Sequence, residues 1–400
     1  MKKKILLIHH WSTIGGSGIS LFNTWQSLKE EFDVVTYIPD NPPSLNDFLL
    51  DKGLVPKTYS FTCGQIPYYS GGSNIFRPGF WYLIMCAITQ SSYWKKVINE
   101  EKPDLVIVNS KVLCWMGKYF KKTKSLCFVR ETIEGKESNV INKIMKRMLE
   151  RFSLVSFLSE YDLEQTNLKC TSTIVSPDFL FPEEYSDKKG RNRACEQLKV
   201  EPKKFNIAFV GGIDKLKGFD IAVKALTYLK DKNIKLLVAG NDFDSINRRN
   251  NGVLSKLFKR RSLKFSESMK EYINKHELND FIQFVGVQND VSTLYSASDV
   301  LVFPMNKPHQ ARPAFEIGVQ KKPVIITDFI NIREFVVNGI NGLTFEPNNP
   351  QALAESIIKV ESNQELFNTL GAANFEYTMK YHTEEYAMTE LKAKIHELLR

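Results

Sequence analysis

The residues best suited to chemistry lie in the stretch 305–346. A polar loop at 307–313 (Lys-Pro-His-Gln-Ala-Arg-Pro) leads into a short helical stretch carrying Glu316, and an apolar strand follows at 323–327. A second acidic position, Glu334, and the turn Asn338-Gly339-Ile340-Asn341-Gly342 come next. Pro313 suits the start of a helix, because its missing N–H would have no intrahelical partner there. The amides just before it then form a helix N-terminus that can bind an anion or a hydroxyl. One turn further in, the Glu316 carboxylate can hold the vicinal diol of a sugar. Amides for an anion beside a carboxylate for a diol are the layout of a nucleotide-sugar pocket.

A second phosphate-type stretch is Phe209-Val210-Gly211-Gly212-Ile213-Asp214-Lys215-Leu216-Lys217-Gly218, which follows a strand and opens a helix at Phe219. Glycines permit close backbone approach, and Lys217 supplies a point charge for a diphosphate. The plain alternative is a strand-to-helix turn with a solvated lysine. Arg312 also reads two ways, as a bidentate phosphate ligand or as an ion pair beneath the loop. His309 lies in the same loop, whereas His9 and His10 read as strand-end or core residues. Asp242 and Asp244 imitate the Asp-x-Asp of metal-dependent transferases, but a solvated loop explains them. No metal site is expected.

These loops need rigid elements behind them, and the chain supplies short β-branched runs alternating with helical stretches. The first half offers strands at 4–10, 32–38, 104–109, 125–131, 154–160 and 172–176; the second at 205–211, 234–240, 281–287, 300–304, 323–327 and 343–346. Strands apolar nearly end to end, with helices between, indicate parallel sheets covered on both faces. Ile221, Ala222, Ala225, Leu226 and Leu229 share one face of a helix at 219–229. The segment 177–202 lacks an apolar period and reads as a linker, and 366–400 reads as helical throughout. Two doubly wound domains with a cleft between them follow, with ligands at the carboxyl ends of the strands.

Four hundred residues, 43% apolar and 25% charged, suit two soluble domains. The basic start is followed by only four apolar residues, Ile5-Leu6-Leu7-Ile8, before His9-His10-Trp11. That is too short for a signal peptide and reads as a first strand. No stretch approaches the ~20 apolar residues that cross a bilayer. Six scattered cysteines show no metal-like spacing, and Cys86, Cys114 and Cys127 sit in apolar contexts that suggest burial and reduction. The expectation is a cytoplasmic protein. Its net charge of +9 suits an anionic partner, a nucleotide diphosphate or phospholipid before nucleic acid, for which motifs are lacking.

The stretch around Glu316 resembles the retaining glycosyltransferases of family 4, which have the GT-B fold. Their signature is two glutamates separated by seven residues ahead of a Gly-x-Pro-Val-Ile strand. Glu316 matches the second glutamate and Lys322-Pro323-Val324-Ile325-Ile326 the strand, while Pro308 stands at the first glutamate. The loop His309-Gln310-Ala311-Arg312-Pro313 looks like a variant of polysaccharide-assembling members. Gly211, Lys217 and Gly218 match a Gly-Arg-Leu…Lys-Gly pattern in which Gly212 occupies the arginine position.

The resemblance implies an acceptor-side Rossmann-like domain at 1–180 and a donor-binding one at 203–380, with the final helix, 381–400, crossing back onto the first. It implies donor contacts from Gly15, Gly16, Gly211, Gly212, Lys217, His309, Gln310, Ala311, Arg312 and Glu316. Catalytic roles fall to Lys217, Arg312 and Glu131, the last in Phe128-Val129-Arg130-Glu131-Thr132, where Arg130 takes the place of the family's histidine. The implied reaction moves a sugar, with retention, from a nucleoside-diphosphate sugar to a lipid-linked or free oligosaccharide acceptor of a surface polysaccharide. The resemblance implies no cofactor and no metal.

Two other classes compete. The missing glutamate and arginine suit a non-catalytic nucleotide-sugar-binding protein. An NAD-dependent oxidoreductase rests only on the glycine loops and lacks the acid that should end its second strand, where Tyr37-Ile38-Pro39 stands. Two further stretches suggest peripheral contact with an anionic membrane at its inner face. Residues 80–87 are densely apolar, and 142–151 place Lys143, Lys146, Arg147 and Arg151 opposite Ile141, Ile144, Met145, Met148 and Leu149. An ordinary core-facing helix with a solvated basic side explains the second stretch equally. The basic cluster 248–264 could act likewise.

Overall fold

The computed structural model describes residues 2–132, 139–249 and 253–400, with backbone alone for 247–249 and 253–261. Most of the basic cluster 248–264 therefore lies outside the described side chains. The chain divides into two compact units, Met1–Leu180 with Tyr381–Arg400, and Phe181–Lys380.

In the first unit the strands are β1 (Lys4–Ile8), β2 (Asp33–Pro39), β3 (Lys57–Tyr59), β4 (Leu105–Val108), β5 (Lys124–Val129), β6 (Leu154–Phe157) and β7 (Ser172–Val175). They form one parallel sheet in the order β3-β2-β1-β4-β5-β6-β7. Central β1 and β4 are paired from Ile5–Leu105 to Ile8–Val108, and every one of those side chains is fully buried. Helices on both faces of a parallel sheet demand such strands, since neither face meets water. Edge strand β3 is only Lys57-Thr58-Tyr59, with no apolar run, so it was absent from the sequence expectation. Leu180 and Thr383 form a parallel bridge, and the helix Glu384–Leu399 buries Met388, Leu391 and Ile395 in this unit.

The second unit carries β8 (Phe205–Val210), β9 (Ile234–Ala239), β10 (Ile282–Gly286), β11 (Val300–Phe303), β12 (Val324–Thr327) and β13 (Leu343–Phe345). Their order is β10-β9-β8-β11-β12-β13, again all parallel. The helix Phe219–Ala225 turns Ile221, Ala222 and Ala225 into the core and then tightens into a 3₁₀ turn at Leu226–Tyr228. Both units are doubly wound, Rossmann-like α/β sheets.

Two sequence expectations need correcting. The stretch read as a linker, 177–202, instead holds the helices Pro182–Tyr185 and Arg191–Leu198. The latter packs on the helix Val291–Ala297. It shows no apolar period because it buries only Ala194, Cys195 and Leu198. Polar anchors complete its attachment: Arg191 donates to both carboxylate oxygens of Asp299, at 2.8 and 2.9 Å. The C-terminal helical stretch is interrupted between the helices Gln364–Tyr381 and Glu384–Leu399. Cys114 and Cys127 are buried as expected, whereas Cys86 is half-buried.

Candidate functional site

In an open parallel sheet, ligands settle at the carboxyl ends of strands where the winding direction reverses, because the loops there diverge and leave a crevice. In the second unit that point lies between β8 and β11, which are hydrogen-bonded neighbours. The loops leaving these two strands carry Gly211, Gly212 and Lys217 on one side, and His309, Gln310, Ala311, Arg312 and Glu316 on the other. They are stitched together: the Asn306 amide donates to the Leu216 carbonyl at 3.1 Å, and its side-chain amide donates to the Lys215 carbonyl.

Glycine is required twice in the β8 loop. Gly218 has φ +76°, and a Cβ there would stand 1.6 Å from the Pro304 carbonyl oxygen. Gly212 has φ +63°, and its Cβ would stand 2.4 Å from the Asn241 amide nitrogen. The position that resembles the family's arginine therefore has no room for any side chain in this backbone. Asp214 ties the loop off by accepting the Leu216 amide at 2.6 Å.

Lys217 is half-buried, with Nζ 5.6 Å from the centre of the Phe303 ring. Its ammonium makes no hydrogen bond to the described residues. Burial pushes its pKa down to about 8, against the opposing pull of the Asp214 carboxylate. Burial, with the Lys217 charge added, also holds the His309 imidazole well below its usual range, so His309 is neutral beside it. Asn331 fixes this loop by donating to the His309 carbonyl at 3.2 Å.

The short helix Arg312–Gly318 starts from Ala311, with Pro313 in its first turn. Asn374 and Thr378, on the helix Gln364–Tyr381, bond to the carbonyls of Ala314 and Phe315 and hold it in place. Glu316 is buried with both oxygens engaged: Arg312 Nε donates to Oε1 at 2.8 Å and the Tyr295 hydroxyl to Oε2 at 2.7 Å. A terminal nitrogen of Arg312 reaches the Tyr185 hydroxyl at 3.2 Å. Of the two readings of Arg312, the structure displays the ion pair beneath the loop, with 7% and 5% of the two side chains exposed.

Gly15, Gly16 and Glu131 lie in the first unit, whose winding reverses between β1 and β4. Gly15 is the N-cap of the helix Gly16–Leu28, which has no capping side chain. Glu131 follows β5, next to β4; Ser110 donates to its Oε1 at 2.5 Å and the Lys111 amide to Oε2 at 3.3 Å. Burial raises the Glu131 pKa, with Lys111 opposing the rise. Arg130 donates to Asn109 at 2.9 Å and pairs with Asp178 at 3.4 Å.

Lys111 had no sequence signal, standing alone after β4 in an apolar context. It is fully buried, donates to the Tyr68 carbonyl at 3.2 Å, and its pKa is pushed down to about 8 by burial. Asp242 accepts the Ser245 amide at 2.7 Å within the start of the helix Phe243–Arg249, a local structural bond. Among the described residues no three His, Cys, Asp or Glu side chains cluster to hold a metal.

Residues 191–377, the stretch with Lys217 and Glu316, match the family model described as Glycosyl transferases group 1. The chain is 30% identical over 182 residues to an uncharacterized glycosyltransferase of Methanocaldococcus jannaschii, covering 45% of each chain. It is 27% identical over 169 residues to CapM of Staphylococcus aureus, a capsular polysaccharide biosynthesis glycosyltransferase, covering 42% of this chain and 39% of CapM. The aligned stretch thus spans under half the length of either relative. In structure, the chain superposes on Anabaena HepE, solved in complex with UDP-glucose, with a TM-score of 0.77 at 16% identity, over 98% of this chain and 99% of that one. The two Rossmann-like units thus have the GT-B fold, and the stretch that matches the glycosyl transferases group 1 model falls within the second.

Proposed function

We propose that the protein is a metal-independent, retaining glycosyltransferase of the family 4 type. It moves a sugar from a nucleoside-diphosphate sugar to a lipid-linked oligosaccharide in surface-polysaccharide assembly. The observation that carries this reading is Lys217, a half-buried ammonium without a hydrogen-bond partner among the described residues, on the loop stitched to the one that carries Glu316. An ammonium taken partly from water without a hydrogen-bonded anion is a costly arrangement, and a bound diphosphate would relieve it. The polysaccharide context is supported by CapM, and a uridine donor by the ligand of HepE.

In this reading Lys217 stabilises the charge that grows on the departing diphosphate, aided by loop amides. Glu316 accepts from the donor ribose through lone pairs that Arg312 and Tyr295 leave open, and Arg312 holds it in orientation. No carboxylate is assigned as a nucleophile, so the acceptor attacks from the face the diphosphate leaves. Reaction at the inner face of a membrane suits a lipid-linked acceptor. Nucleotide sugars that bind should raise the unfolding temperature by mass action, and the one that does should release its diphosphate faster with acceptor present. NMR of the product's anomeric centre tests retention. Pro308 and Gly212, which replace the family's glutamate and arginine, favour a second reading, a nucleotide-sugar-binding protein without activity. Tight binding without diphosphate release under any acceptor would select it.

A further inference from the structure

The helix Pro78–Thr89 is apolar along its whole length, yet it buries only Phe80 and Ala87. Trp81, Tyr82, Met85 and Ile88 are each between 56% and 59% exposed, and Phe76 just before the helix is 87% exposed. At 100° per residue, the four helical positions and Thr89 fall within about a third of the circumference, opposite Phe80 and Ala87. A helix apolar all round belongs in a core. This one leaves a continuous aromatic and aliphatic face in water.

The helix Val140–Leu149 adds a second exposed face. Met145 and Leu149 are buried, whereas Val140 and Ile144 are 68% and 45% exposed, together with Lys143, Arg147 and, one turn on, Arg151. Ile144, which the sequence placed on the core side, thus shares the outer face with the cations. Both helices are anchored to one short loop. The Gln65 amide donates to the Leu83 carbonyl at 3.1 Å, and the Asn139 side chain, which caps the second helix, donates to the Tyr68 hydroxyl at 2.6 Å. Only Ile66 and Pro67 stand between Gln65 and Tyr68, so the anchor residues lie within about 11 Å of chain. Around the first helix charge is one-sided: no acidic residue occurs between Asp51 and Glu100, while Lys52, Lys57, Arg77, Lys95 and Lys96 do.

We propose that these two helices form one docking surface for an anionic lipid bilayer. The Trp81–Ile88 face enters the headgroup and acyl boundary, and Lys143, Arg147 and Arg151 contact acidic headgroups. Trp and Tyr suit that boundary because each joins an apolar ring to a polar edge, and cations beside an apolar face match anionic lipid. A second copy of this chain would bring like charges together. The proposal deepens the lipid-linked acceptor reading by naming the surface that docks, and it fails separately from that reading.

Full-length protein should co-sediment with phosphatidylcholine vesicles that contain phosphatidylglycerol, strongly at low salt and less at high salt. Trp81→Ser, Tyr82→Ser, Met85→Ser and Ile88→Ser combined should reduce partitioning by about ten-fold or more at either salt. Lys143→Glu, Arg147→Glu and Arg151→Glu should reduce it at low salt, by about five-fold for each cation removed. All seven side chains are exposed, so thermal unfolding should be unchanged, which checks that each variant is folded. Wild-type protein that ignores these vesicles at low salt, or serine variants that bind undiminished, would overturn the proposal. So would a lipid-free wild-type dimer that the serine variants render monomeric. Calorimetric titration with UDP-glucose reads the transferase proposal alone, and its failure would leave the docking result standing.

Discussion

Replacing Arg312 with methionine removes the guanidinium and keeps most of the side-chain volume. Glu316 would lose the 2.8 Å bond from Arg312 and retain only the Tyr295 hydroxyl, in a site where 5% of its side chain meets solvent. Removing one partner of a buried ion pair costs about 3–5 kcal/mol, because the other charge is stranded. Arg312→Met should therefore lose about 3–5 kcal/mol of stability in the second unit at pH 7. Arg312→Met with Glu316→Gln should recover to within about 1 kcal/mol of wild type at pH 7, since no buried charge remains.

The readout must report on the second unit. All five tryptophans, Trp11, Trp25, Trp81, Trp94 and Trp115, lie in the first, so tryptophan fluorescence is the wrong probe. Hydrogen exchange of the amides of Arg312–Gly318 and Val324–Thr327 is the right one, because it resolves local opening in a chain that need not unfold in one step. Donor titration of the same variants separates roles: Glu316→Gln should weaken nucleotide-sugar binding, each lost charge-assisted bond being worth about 1.5–3 kcal/mol. Arg312→Met that keeps wild-type protection at pH 7 but loses diphosphate release would refute the reasoning, and would return Arg312 to the phosphates.

Lys217→Ala should lower turnover by about 10²–10³ while donor binding changes less, as seen when a stabiliser of developing charge is lost. Wild-type turnover should fall as the pH rises past about 8, where the ammonium loses its proton; Lys217→Arg should remove that fall, whereas a contribution from Lys111 in the first unit would persist. Gly212→Arg should not restore the family's extra cation: with φ +63° and Asn241 at 2.4 Å, it should fold poorly or lose donor binding, measured by thermal unfolding and calorimetry. Glu131→Gln should slow transfer while leaving UDP-glucose affinity in the second unit unchanged, which steady-state kinetics beside a titration would reveal.

The sheets were legible because parallel strands covered on both faces must be apolar nearly end to end, as β1, β4, β8 and β11 are. Where that pressure is absent the signal vanishes. Edge strand β3 is held by pairing with β2 and by the buried Tyr59, and two polar residues in three conceal it. The helix Arg191–Leu198 escaped for a related reason, since its Arg191–Asp299 clamp and small buried residues leave no periodic stripe.

Site residues differ in the same way. The placement of Lys217 and Glu316 was readable because each follows a strand at a fixed distance, and chain position alone brings their loops to neighbouring strand ends. Arg312 could not be assigned, because its i,i+4 spacing to Glu316 permits a side chain directed either at the carboxylate or out of the helix start. The choice is made by Tyr185 and Tyr295, residues distant in sequence whose hydroxyls complete the buried network. That choice has an electrostatic consequence. In the proposed reaction, with Arg312 directed at Glu316 and Gly212 unable to carry a side chain, neither would compensate for the other at the diphosphate. More of the stabilisation must then come from Lys217 and from backbone amides, which carry no titratable charge. The loss of turnover expected above a pH of about 8 follows from that concentration of charge in one lysine.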